Sequence, residues 1–147
     1  MGPLALAQTI ERAFSDVAYP GDSALVSGCD PESEEVAAVF KGHHWKEMRV
    51  NILQPQSEAI FFFTPEAYHF FLPAYLLAMV SDIEEADTIV GSVIFSLLAE
   101  GPFAASAEGR IALLSSEQRA AVRAVLEFAK QQQGDPSGDI DSVLKTM

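Results

Sequence analysis

The segment from Phe61 to Val80, FFFTPEAYHFFLPAYLLAMV, is the part of the chain that most constrains its fold. Glu66 and His69 are its only side chains that can carry a charge near neutral pH. A helix with almost no polar face must be buried on nearly every side, so we expect the flanking segments to pack around it. Its uninterrupted apolar run is too short to span a bilayer.

The residues around this segment predict where its helix begins and where it bends. In Thr64-Pro65-Glu66, a side-chain hydrogen-bond acceptor is followed by a proline and an acid, which is the usual chemistry of a helix N-terminus. Pro73 lies within the helical stretch and removes one backbone donor, so the helix is expected to bend or to start afresh there. The sequence therefore predicts a Pro-kinked central helix.

Helical periodicity recurs on both sides of the central segment. Apolar spacing predicts an amphipathic first helix within residues 3–17, and Ser115 with Gln118 forms a capping box that begins another helix. The chain has 147 residues, 49% of them hydrophobic, which is enough for one core. The predicted fold class is all-α: a compact single-domain helical bundle over residues 1–147. The segment GPFAASAEG, residues 101–109, is predicted to be a loop.

Two parts of the chain leave alternatives open. The β-branched residues of 49–53 and 89–98 could form a small strand pair, which would make the fold α+β. Within residues 134–147, apolar side chains recur at helical spacing. This pattern suits a short docked helix, with a frayed tail as the alternative. The residues that carry it are Ile140, Val143, Leu144 and Met147.

The charge of the chain restricts its partners. With 21 acidic and 9 basic residues, the formal net charge is −12. This sign opposes non-specific attraction to nucleic acid or an anionic membrane, so the predicted partner is a basic protein, with no direct nucleic-acid or membrane binding. Cys29 is the single cysteine, which fits a reducing compartment. Because we identify no signal peptide, we expect a cytoplasmic protein.

An acidic helix start is the main candidate for partner binding. Asp30-Pro31-Glu32 has the same helix-start chemistry as Thr64-Pro65-Glu66. Acids at this position could steer and pair with a basic protein, and the alternative is a solvated, solubilising face, which explains the same residues. The predicted partner-binding residues are Asp30, Glu32, Glu34, Glu35 and Trp45. For Trp45 the alternative is that it anchors its turn in the core.

The HHWKE turn contains the only dense set of candidate metal ligands. In a helical turn, His43 and Glu47 would lie on the same side, with His44 beside them. A catalytic zinc also needs a third ligand, for which His69 or an acid from residues 30–35 is available, but no HExxH motif is present. The alternative is an exposed turn with no metal. We predict no cofactor.

Three blocks of the sequence resemble a known group of proteins. The blocks are CDPESEEVAAVFKGHHWKEM, FFFTPEAYHFFLPAYL and LSSEQRAAVRAVLEF. Together they are similar to small bacterial proteins of unknown function with a "TPEAY…LPAYL" block and a closing "EQRAAV" helix, over roughly residues 10–130. The resemblance implies a helical bacterial protein and no particular activity.

The sequence contains no Gly-rich phosphate loop, nucleophile elbow or CxxC pair. Our leading hypothesis is therefore a non-catalytic acidic protein that binds a basic protein partner, such as a toxin that it neutralises. One alternative is a metal-dependent enzyme or metal sensor that uses the HHWKE turn. A second is a nucleic-acid-mimicking inhibitor, which would need acids spaced like phosphates.

Overall fold

The computed structural model describes residues 2–147, so that Met1 of the predicted domain lies outside it. The elements are α1 Pro3–Phe14, α2 Pro31–Phe40, α3 Val50–Leu53, α4 Pro65–Ser81, α5 Asp87–Leu97, α6 Ala104–Ala112, α7 Ser116–Gln133 and α8 Asp139–Thr146, joined by turns and short 3-10 segments. The all-α prediction is confirmed. The α+β alternative is wrong, because 50–53 is α3 and most of 89–98 belongs to α5. Within residues 2–147, the only β-type pairing is an isolated bridge between Val26 and Phe63.

Helix α4 is the predicted central helix, and it is buried on nearly every side between its exposed ends, Pro65, Glu66 and Ser81. Thr64 caps it: its Oγ1 accepts a hydrogen bond from the Ala67 amide at 3.1 Å and donates one to the Ala24 carbonyl at 2.7 Å. The helix is continuous through Pro73 and does not start afresh there. Phe71 has no exposed surface and packs against the rings of Phe40 and Phe63. Burial of these aromatic side chains is the main source of stability around α4.

Helices α1 and α7 pack against α4 and against each other. Gln118, in the first turn of α7, ties the three together. Its Oε1 accepts hydrogen bonds from the Ser115 amide at 2.9 Å and from Nε2 of His69 at 2.7 Å, while its Nε2 donates to the Ala13 carbonyl at 3.1 Å. Because the amide oxygen can only accept, His69 carries a proton on Nε2. His69 is therefore a structural link between α4 and α7.

The segment predicted to be a loop is mostly helical. Residues Gly101–Phe103 form a 3-10 turn and α6 follows directly. The Gly, Ala and Ser content of this segment is typical of a loop, although the segment is helical. The buried side of the helix is small and consists of Ala107 and Ile111. Helix α6 packs against α4 and α5, so tertiary contacts decide its conformation.

The C-terminal residues form α8, which packs against α5 and α7. Ile140 and Val143 are buried, and Lys130 of α7 forms a 2.7 Å salt bridge with Asp141. Within residues 2–147, no single helix is both long and apolar enough to cross a bilayer. Only α5 together with Gly101–Ala112 meets those two criteria, as a pair bent by 68°.

Candidate functional site

The acidic helix start stands on the surface as an exposed group of carboxylates. We define the acidic face as Asp30, Glu32, Glu34 and Glu35, all of which are exposed. Helix α2 is held to the core from its other side, by Ser33, Val36 and Phe40. This placement leaves all four carboxylates of the acidic face open to a partner.

Asp30 has a structural role within the acidic face. Its carboxylate accepts hydrogen bonds from the Ser33 amide at 2.9 Å and from the Ser33 hydroxyl at 3.0 Å. These two bonds lower the pKa of Asp30 below its ordinary value, because they favour the ionised form. Asp30 therefore caps α2 and contributes a fixed negative charge at the same time.

The acidic face forms no salt bridge with the cations of residues 2–147. Within residues 2–147 the salt bridges are Arg12–Glu117, His43–Glu47 and Lys130–Asp141, and none involves the acidic face. Arg110, Arg119 and Arg123 donate to backbone carbonyls instead of carboxylates.

The HHWKE turn is organised as a small cap. Nδ1 of His44 accepts a hydrogen bond from the Lys46 amide at 3.1 Å, and Glu47 accepts one from the His44 amide at 2.8 Å. The latter bond is the main reason why the pKa of Glu47 is lowered. His43 and Glu47 do lie together, with Nδ1 and Oε2 3.6 Å apart. Among residues 2–147, however, no group of three His, Cys, Asp or Glu side chains is arranged to hold a metal ion.

Trp45 is buried and does not extend the acidic face. Its side chain is 1% exposed, so it anchors the turn in the core and cannot contact a partner from this position. With Lys46 and Arg49 it lines a groove of about 640 Å³ between α1 and α4. Its Nε1 is the one buried side-chain polar atom within residues 2–147 that has no hydrogen-bond partner.

A second surface of the molecule is aromatic and contains a cation, in contrast to the acidic face. Phe61, Phe95 and Phe103 line a cleft of about 450 Å³ together with Ser106 and Arg110, which we call the aromatic cleft. The three phenylalanines are 40%, 56% and 65% exposed, respectively. The expected burial of the segment from Phe61 to Val80 is found for Tyr68, Phe70, Phe71 and Tyr75, whereas Phe61 is exposed.

Arg110 lies among these rings, and none of the salt bridges within residues 2–147 involves it. Its Nη1 donates to the Ser96 carbonyl at 2.9 Å, and its guanidinium carbon is 5.9 Å from the centre of the Phe61 ring and 5.3 Å from that of Tyr68. The Tyr68 hydroxyl and the Ser96 hydroxyl are hydrogen-bonded to each other at 2.8 Å. Partial burial lowers the pKa of Arg110, and burial raises the pKa of Tyr68. Both groups keep their usual charge at neutral pH.

The aromatic cleft is the feature that sequence reasoning missed. Its residues come from three separate parts of the chain. Phe61 precedes α4, Phe95 lies on α5, and Phe103 lies just before α6, which contains Arg110. The one local signal is Phe103, a large apolar residue within a Gly-Pro turn where nothing around it suggests burial. The remaining members are recognisable only once α6 is known to be a helix.

The fold and these two surfaces define a class of protein: an acidic, all-α protein with an uncompensated acidic face and an aromatic cleft that contains an arginine. The chain belongs to the family described as "Family of unknown function (DUF6714)", which matches residues 4–146. Comparison with curated proteins and comparison with solved structures give no significant match.

Proposed function

We propose that the protein binds a basic protein partner through the acidic face. The observation that supports this proposal is that all four carboxylates are exposed while the salt bridges among residues 2–147 lie elsewhere. An uncompensated patch of one sign accelerates encounter with a partner of opposite sign and fixes its orientation.

Glu34 and Glu35 are the principal contacts in this proposal. Asp30 is already bound to Ser33, so it adds to the field of the patch more than to direct pairing. Glu34 and Glu35 have no such bond, and both fall on the side of α2 away from Val36 and Phe40. A toxin with a lysine- or arginine-rich active site is one class of partner that such a surface would neutralise.

The experiment compares two double variants that change the net charge equally. Glu34→Gln/Glu35→Gln alters the acidic face, and Glu84→Gln/Glu85→Gln alters an exposed glutamate pair between α4 and α5. Each purified protein is used to capture partners from a lysate of its native source. The captured partner is then titrated calorimetrically at low and at physiological salt.

We expect the wild type and Glu84→Gln/Glu85→Gln to capture the same partner with similar affinity. Glu34→Gln/Glu35→Gln should bind that partner at least about tenfold more weakly. The affinity of the wild type for the partner should fall as the salt concentration rises. Circular dichroism of all three proteins checks that the fold is unchanged. A partner indifferent to Glu34→Gln/Glu35→Gln, or lost equally with both variants, contradicts the proposal. Inhibition of that partner's activity by the wild type would identify it as a neutralised toxin.

A further inference from the structure

We propose that the aromatic cleft binds a small apolar carboxylate, an aryl or short alkyl chain that ends in a single carboxylate group. Phe61, Phe95 and Phe103 would pack against the apolar part and Arg110 would bind the carboxylate. This site is separate from the acidic face in residues and in chemistry, so the proposal does not depend on the protein-binding function.

The first argument is the concentration of exposed aromatic rings. Six large hydrophobic side chains of the described residues are exposed, and three of them line this one cleft. Isolated exposed apolar residues are ordinary, whereas apolar residues grouped around a concave surface are characteristic of ligand sites. The cleft volume of about 450 Å³ lies within the range of small-molecule pockets.

The second argument is the charge of the cleft. Arg110 is half-buried, none of the salt bridges among residues 2–147 includes it, and no acidic residue lines the cleft. The Ser96 carbonyl accepts from one guanidinium N–H, which leaves the other donors for a ligand. A planar guanidinium can bind a carboxylate with two parallel hydrogen bonds, and these bonds strengthen when a ligand excludes water from them.

The surroundings of Arg110 also hold its guanidinium in place before any ligand arrives. The bond to the Ser96 carbonyl fixes one end, and the rings of Phe61 and Tyr68 flank the group. Ser96 is itself fixed by its hydroxyl, which bonds to Tyr68 at 2.8 Å and to the Val93 carbonyl at 2.7 Å. A preorganised cation loses less conformational entropy when it binds an anion.

The overall charge of the protein decides what kind of anion fits. A net charge of −12 repels an anion in proportion to the charge that the anion carries. One half-buried arginine can offset this repulsion for a monoanion more readily than for a phosphate ester. The apolar rings contribute the remaining binding free energy through burial. The favoured ligand is therefore a carboxylate with an apolar body.

The test titrates the full-length protein with 3-phenylpropionate and with its neutral analogue 3-phenylpropanamide, which has nearly the same shape. Binding is followed by the chemical shifts of backbone amides and by calorimetry. Arg110→Gln is the variant that removes the cation. Arg123→Gln is the matched control, because Arg123 is also half-buried and also donates its Nη1 to a backbone carbonyl, that of Leu144.

We expect 3-phenylpropionate to shift the amides of the aromatic cleft and to bind roughly tenfold or more tightly than the amide. Arg110→Gln should abolish that preference, while Arg123→Gln should keep it. If Arg110→Gln is poorly folded by circular dichroism, Arg110→Lys is used, and it should bind the carboxylate more weakly than the wild type.

Several results would overturn the proposal. These are no binding of 3-phenylpropionate at millimolar concentration, equal affinity for the carboxylate and the amide, and an equal loss in the Arg123→Gln control. Sedimentation provides a further check: if the wild type is a dimer that Phe103→Ser converts to a monomer, the cleft is an interface between two copies of the chain and not a ligand site.

Discussion

Helices α2 and α4 begin in the same way and differ in every respect that follows. Each starts with a side-chain acceptor, a proline and a glutamate: Asp30-Pro31-Glu32 in α2 and Thr64-Pro65-Glu66 in α4. Both caps form, with acceptor-to-amide distances of 2.9 Å to Ser33 and 3.1 Å to Ala67. The two caps, however, lead into helices that are buried to very different extents.

The residues after the cap decide where each helix lies. Helix α4 continues with an apolar and aromatic run and is buried on nearly every side, whereas α2 buries only Ser33, Val36 and Phe40. A cap determines where a helix begins, because it satisfies local backbone donors. The distribution of apolar residues determines whether the helix becomes core or surface.

The largest expected effect tests whether α4 is the centre of the core. Phe71→Ala should lower the free energy of unfolding by about 3–5 kcal/mol, because it removes a fully buried ring and leaves a cavity. Phe103→Ala makes the same chemical change at a residue that is 65% exposed and should cost less than about 1 kcal/mol. Urea denaturation measures both. Equal losses would mean that α4 does not hold the core together.

A smaller effect is expected at the cap of α4. Thr64→Ala should cost about 1–2 kcal/mol, because it removes the cap of the Ala67 amide and leaves the part-buried Ala24 carbonyl without its 2.7 Å hydrogen bond. Thr64→Ser retains the hydroxyl and should recover most of the loss in urea denaturation. If serine fails to do so, the methyl group of Thr64 is more important than its hydrogen bonds.

The smallest effect concerns the cap of α2 and depends on pH. Because the pKa of Asp30 is lowered in the folded protein, its ionisation stabilises the fold fully above the ordinary value of 3.8, and that stabilisation is lost as pH falls through the folded pKa. The wild type should therefore unfold at a higher temperature than Asp30→Asn near about pH 6. The difference between the two melting temperatures should shrink as the pH falls below the ordinary aspartate pKa. Thermal unfolding at several pH values tests this. A difference that does not change with pH would show that the carboxylate charge of Asp30 is unimportant.

Much of the fold could be predicted from sequence because its signals are local. The caps at Asp30, Thr64 and Ser115 and the periodicity of α1 and α7 depend only on residues within a few turns of each other. The missed helix α6 lacks such a signal: Gly101, Pro102 and Gly109 all read as turn residues. Ala107 and Ile111 do have helical i, i+4 spacing, but two apolar residues do not outweigh these turn signals, and the helix is buried by packing against α4 and α5.

The candidate sites also differ in whether their residues are close together in the sequence or are brought together only by folding. The acidic face lies within one stretch of six residues, so the sequence alone brings its four carboxylates together, and its role in partner binding stays a prediction. For Trp45 the sequence leaves two interpretations open, a partner contact and an anchor in the core, and its side chain is buried. Only the tertiary structure decides between these two interpretations, because the burial of Trp45 depends on helices distant in the chain.

The sequence alone determined that the chain is helical, that an apolar helix lies at its centre and that four acids cluster within residues 30–35, because these properties arise from residues close together in the chain. Only the tertiary structure decided that Phe61, Phe95 and Phe103 meet around Arg110. It also decided that Gln118 joins α7 to His69 and to the Ala13 carbonyl. Contacts between residues far apart in the chain depend on how whole helices pack, and no single segment specifies that packing.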